Sequence, residues 1–186
     1  MLVLIFLLIV MPVISLAALA IRHQETRRRV AHTARTANTA AAVLWLFVIV
    51  SIVGGIDIHF YQVYCMPAAV ISTLCAAVCA AAEAHSAARL SCEAESKPYV
   101  PKRLRAVLVA LAVFVVVTAL ELLVLQGVAE AAYAARQRPE DANLYGLLAA
   151  AVAALAHVLA AGVIFALTPG AGKPRVKACE VKGACP

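Results

Sequence analysis

Five apolar runs of 18 to 24 residues govern what this chain can become: Leu2–Ile21, Thr39–Ile56, Val63–Ala82, Ala106–Val128 and Leu144–Leu167. Apart from Glu121, none of them contains Asp, Glu, Lys or Arg. At a rise of about 1.5 Å per residue, such a run crosses about 30 Å of hydrocarbon as an α-helix. Strands are excluded, because ten-residue alternating segments are absent and an open sheet leaves backbone groups unsatisfied in lipid. The 186 residues are 65% hydrophobic and 14% charged, whereas a soluble domain is about 45–50% apolar and roughly a quarter charged. A water-soluble globule is thereby excluded, as are disordered, collagenous and disulfide-rich secreted classes. The expected fold is all-α, a polytopic transmembrane bundle of five spans over residues 1–167. A basic, irregular tail follows over 168–186.

Charge orients the bundle. The segment Arg22–Asn38 carries five arginines against Glu25. Glu83–Arg105 carries five basic residues against three acids, and the tail carries four against Glu180. The connections Asp57–Gln62 and Ala129–Asn143 hold only two basic residues, Arg136 and Arg138, the latter connection against Glu130, Glu140 and Asp141. Fourteen of the sixteen basic residues thus fall on one side of a five-span chain, which predicts an outside N-terminus and an inside C-terminus. The net charge of +6 is a topology signal and implies no nucleic-acid partner. The first run has a rival reading. Ala18-Leu19-Ala20 has the small-x-small form of a signal-peptidase site, and cleavage there would leave four spans. A missing basic n-region and the placement of Arg27–Arg29 favour retention of the run as a span with Pro12 at its middle.

Glu121 is the one formal charge deep within a run, and an embedded carboxyl is costly enough to mark a candidate site for proton or ion handling. The alternative is a carboxyl packed against a neighbouring helix's hydroxyl or backbone. Counting to Val128 puts Glu121 about 12 Å below the outer boundary, against about 20 Å for His157. Direct contact between the two then requires tilt or a bridging water. A packed neutral imidazole is the alternative for His157. Arg27, Arg28 and Arg29 are candidates for contact with anionic lipid headgroups, at about 1 kcal/mol per basic residue near the surface.

The six cysteines lack Cys-x-x-Cys or paired zinc spacing, so no metal is expected. His59, His157 and His85 fall at the outer, middle and inner levels, so no bis-histidine haem is expected either. Cys75 and Cys79 share a helix face and read as small apolar residues. Trp45, Phe60, Tyr61, Tyr64 and Tyr145 include boundary aromatics, with Tyr61, Tyr64 and Tyr145 forming an outer belt. The loop Ser96–Pro101 is the Pro-punctuated linker between spans. The alanine-rich stretch Ala149–Ala161 makes the last helix slim enough for close approach to a neighbour.

Leu122-Leu123-Val124-Leu125-Gln126-Gly127-Val128-Ala129, a polar loop, and Tyr145-Gly146-Leu147-Leu148-Ala149-Ala150-Ala151 together resemble the last two spans of the plant modifying-wall-lignin family of small four-span membrane proteins. The resemblance covers Arg105–Leu167, about a third of the chain. That family's cysteine in the last extracytoplasmic loop is missing here, its cysteine cluster before the third span is reduced to Cys92, and Thr39–Ile56 has no counterpart. No functional residue carries over.

Nucleotide loops, catalytic triads, paired carboxylates and His-Glu-x-x-His are all absent from the sequence, so no enzyme activity and no cofactor are expected. The function expected is that of a non-catalytic accessory subunit or assembly factor of a larger membrane complex, for which a respiratory or photosynthetic assembly would be suitable. Its partners would be the bilayer and other subunits meeting small-residue helix faces. The alternative is a small proton- or ion-coupled transporter or channel using Glu121 and His157. An organellar inner membrane, the endoplasmic reticulum and the plasma membrane all suit such a chain.

Overall fold

The computed structural model describes residues 2–53, 58–95, 103–135 and 141–171, the side chains of 2–9, 53, 58–62 and 103 excepted. Five helices follow one another: α1 (Leu2–Ala20), α2 (Gln24–Val53), α3 (Ile58–Ala94), α4 (Arg103–Ala134) and α5 (Ala142–Leu167). Among the described residues, α2 to α5 are each long and apolar enough to cross a membrane, and Val10–Ala20 of α1 is a shorter apolar helix. This is an integral membrane protein with several spans. The tail beyond Ala171, with Cys179 and Cys185, lies outside the described residues, as do the Ser96–Pro101 linker and the side chains of His59, Phe60 and Tyr61.

The helices outrun the apolar runs that predict them. Most of Arg22–Asn38 is helix from Gln24 onward, and α3 continues from Ala82 to Ala94. Helix formation in these stretches follows backbone propensity, which is high for Ala, Arg, Glu and Gln, and not hydropathy. At 37 residues, α3 is about 55 Å long, well beyond the hydrocarbon thickness. The N-termini of α2 and α4 and the C-termini of α3 and α5 lie together at what is here the basic end of the bundle. Arg35 of α2 meets Glu83 of α3 there, and Gly170, just after α5, lies beside Ala88. Gly170 has φ 85°, a left-handed conformation that glycine adopts without strain.

Small residues bring the helices close. Ala76, Ala80, Ala84 and Ala88, spaced by four on α3, are all buried. On α5, Ala149, Ala153, Ala156 and Ala160 are buried likewise. The alanine face of α5 therefore lies within the bundle and is not open to another subunit. Trp45 is buried with Leu46, Ile49 and Leu125 in the core toward the opposite end. Tyr145 packs partly against that same cluster, and Tyr64 is exposed. On α1, Ala18 is buried with Ala31 and Ala82, and Met11 with Ala41 and Cys75. Cys79 donates from its thiol to the Ser15 hydroxyl at 3.3 Å, which in turn donates to the Met11 carbonyl at 2.8 Å.

The tightest approach is at Gly146, where a Cβ would collide with the Ser51 hydroxyl and meet the Phe47 carbonyl oxygen at 2.8 Å. A backbone oxygen cannot rotate aside, so α5 would have to move off α2. Gly146→Ala should therefore lower stability by about 1–3 kcal/mol, the usual cost of overpacking, read as a fall in the unfolding midpoint in detergent. A midpoint equal to that of the unaltered protein would show that the two helices are not in this close contact.

Candidate functional site

Three hydrogen bonds tie four helices together at one depth. His157 of α5 lies with Nδ1 3.0 Å from the Thr39 hydroxyl of α2. One residue earlier on α2, Asn38 donates from Nδ2 to the Ser72 carbonyl of α3 at 2.6 Å. One residue later on α3, Thr73 donates its hydroxyl to Glu121 Oε2 of α4 at 2.6 Å. Because 38 and 39, and 72 and 73, are chain neighbours, the bonds form a polar layer running α5–α2–α3–α4. Asn38, Ser72, Thr73, Glu121 and His157 are all buried, and an interhelical bond of this kind is worth about 0.6–2 kcal/mol in a membrane.

The layer corrects the depths counted from the sequence. Glu121 stands 13 residues from Ala134, and His157 15 residues from Ala142. Both therefore lie about 20–22 Å from the far ends of their helices. The sequence count ran from the end of the apolar run at Val128, whereas α4 itself continues six residues further to Ala134. Although level in depth, Glu121 and His157 are not joined to each other. Each has a threonine of a different helix as its partner, with two helices' side chains in sequence between them.

Both ends of the layer hold an unsatisfied atom. Glu121 Oε1 and His157 Nε2 are buried without a hydrogen-bond partner, as is the Thr118 hydroxyl one turn before Glu121. Thr39 donates its single proton to the Arg35 carbonyl at 3.0 Å. His157 Nδ1 must then donate to the Thr39 oxygen, which leaves Nε2 of a neutral ring as a bare acceptor. Such atoms are costly in a low-dielectric interior and are a place where a proton, ion or water can bind.

A second polar cluster was not visible in the sequence. Glu83 is 6% exposed; its Oε2 accepts from Arg35 Nε at 3.1 Å, and its Oε1 lies 3.0 Å from His32 Nδ1. Glu83, His32 and Arg35 fall in stretches read as connections, so Glu121 is not the one acid buried in the bundle. The signal that could have found them is the three-residue spacing of His32 and Arg35, one helical face if the helix is continued backwards. The arginine triplet divides. Arg28 and Arg29 line a pocket of about 310 Å³ with Glu25, His32 and Glu83, and Arg29 pairs with Glu25 at 2.9 Å. Arg27 turns to a different groove, beside α1, α3 and α4. Neither recess is lined by Glu121 or His157.

Cys65, Cys75 and Cys79 are buried and free, and Cys92 is half-buried. Among the described residues, no three His, Cys, Asp or Glu side chains are placed to hold a metal ion. Comparison with protein-family models, with curated proteins and with solved structures finds no match.

Proposed function

We propose that this chain is a non-catalytic subunit or assembly factor that joins a larger membrane complex laterally through α4. One observation carries the reading. The most apolar stretch of α4 is 17% buried, against 61% for that of α3, so α4 is left largely uncovered along the bundle. Ala112, Ala119 and Gly127 are exposed on it, and a Cβ at Gly127 would meet nothing within 4 Å. By helical spacing these three fall on one side of α4, between Leu108, Val116 and Leu123, which are also exposed. Small residues flanked by branched ones allow a partner helix to approach closely in lipid, where packing and not hydrophobicity drives association. A photo-crosslinker placed at Ala119 in native membranes should give one discrete protein adduct, and Ala119→Trp should dissociate it. Adducts with lipid alone, together with monomeric migration in mild detergent, would overturn the reading.

A second reading is favoured by the unpartnered Glu121 Oε1 and His157 Nε2, the pair expected of a proton- or ion-coupled transporter. It requires pH-dependent flux in proteoliposomes that Glu121→Gln abolishes. Flux unchanged in that variant would overturn it.

A further inference from the structure

A groove of about 590 Å³ opens between α1, α3 and α4 and ends at the basic end of the bundle. Leu74, Ala77 and Ala81 of α3 face Ala110, Leu111 and Phe114 of α4 across it. Leu19 of α1 lies on its third side. At its basic end the lining changes to Arg27 of α2 with His85 and Arg89 of α3, and among the described residues no acid lines it. Arg89 also pairs with Glu93 at 3.0 Å, an exposed contact of the kind that contributes little and is readily shared.

Length and charge select an occupant. From Leu74 to His85 is eleven residues of α3, about 16 Å, and half of a bilayer's hydrocarbon is about 15 Å deep. Arg89 stands fifteen residues from Leu74, about 22 Å, so the apolar walls match the hydrocarbon of one leaflet and the guanidinium groups match the headgroup layer beyond it. Apolar walls that lead to a basic, acid-free end match an amphiphile with an anionic headgroup, whereas a further apolar span would leave that end without a counter-charge. Basic pockets between helices at the positively charged face of a membrane suit anionic headgroups.

We propose that this groove binds one anionic phospholipid from the leaflet at the basic end, with an acyl chain along α3 and α4 and its phosphate between Arg27 and Arg89. The site is separate from the exposed face of α4 assigned to a protein partner and does not depend on it.

Native mass spectrometry of the full chain in mild detergent tests the site. The protein is titrated with phosphatidylglycerol and phosphatidylcholine bearing the same acyl chains. One phosphatidylglycerol per chain should be preferred about thirtyfold, the factor expected of two basic residues near the surface. Arg27→Gln with Arg89→Gln should bring the two lipids level. Arg28→Gln with Arg29→Gln removes the same charge outside the groove and should leave the preference intact. Val107→Trp, at a groove residue 62% exposed, should lower occupancy by both lipids without disturbing the core. Circular dichroism confirms equal helix content in each variant. A preference that survives loss of Arg27 and Arg89, one lost equally with Arg28 and Arg29, or competition by soluble glycerol phosphate would each overturn the proposal.

Discussion

Glu83→Ala should lower the stability of the bundle by about 2–3 kcal/mol, the largest loss expected from a single substitution here. The carboxylate is 8% exposed as a side chain and meets Arg35, which is 22% exposed, and His32, which is 59% exposed. Removing it leaves the Arg35 guanidinium half-desolvated beside α3 with no counter-charge. Fully buried pairs lose about 3–5 kcal/mol when one partner is removed; the partial exposure of Arg35 and the wide exposure of His32 reduce the expected cost. Glu83→Leu combined with Arg35→Leu should recover most of the loss, because the desolvation cost disappears with both charges. Unfolding in detergent, followed by circular dichroism, reads all three proteins. A change within about 0.5 kcal/mol for Glu83→Ala, the range of ordinary surface substitutions, would show that Glu83 makes no such contact.

Thr73→Val should lower stability by about 1–3 kcal/mol through the carboxyl it abandons. An average interhelical hydrogen bond in a membrane is worth only about 0.6 kcal/mol, so loss of the bond alone would be hard to measure. Here Glu121 Oε1 already lacks a partner, and the Thr73 hydroxyl at 2.6 Å satisfies the other oxygen. Removing it leaves the whole carboxyl without a donor in a region where water is scarce. Thr73→Ser keeps the hydroxyl and should be close to neutral. Glu121→Leu should be tolerated, and adding it to Thr73→Val should rescue stability, giving a coupling of about 1–2 kcal/mol. Independent, additive losses would mean that the two side chains do not touch. The same variants bear on function. A stable Glu121→Leu protein that still forms its crosslinked complex supports a packing role, and one that assembles but loses flux supports the transport reading.

Much of this was readable in the residues. Runs of 18 to 24 apolar residues require helices because nothing else satisfies the backbone in lipid, and the lone Glu121 had to turn inward because a carboxyl facing acyl chains is too costly. That Cys75 and Cys79 share one helix face likewise follows from their four-residue spacing. Helix ends were misjudged, because hydropathy ends where the membrane does whereas Ala, Arg and Glu continue a helix into water. Ending each helix with its apolar run concealed Glu83, Arg35 and His32, which lie on the helical extensions.

The sequence by itself determined the all-helical class, the charge asymmetry between the two ends, and which side chains could not face lipid. Only the tertiary structure decided which threonine meets Glu121 and which meets His157, that the alanine face of α5 is internal, and that α4 is the least covered of the four long helices. The physical reason is rotational. A soluble helix shows its buried face by alternating apolar and polar residues, but a span that is apolar all round carries no such periodicity. Its orientation is fixed by where small residues let backbones approach, as at Gly146 against Phe47, and by a few buried polar atoms that must find one another, as Thr73 finds Glu121.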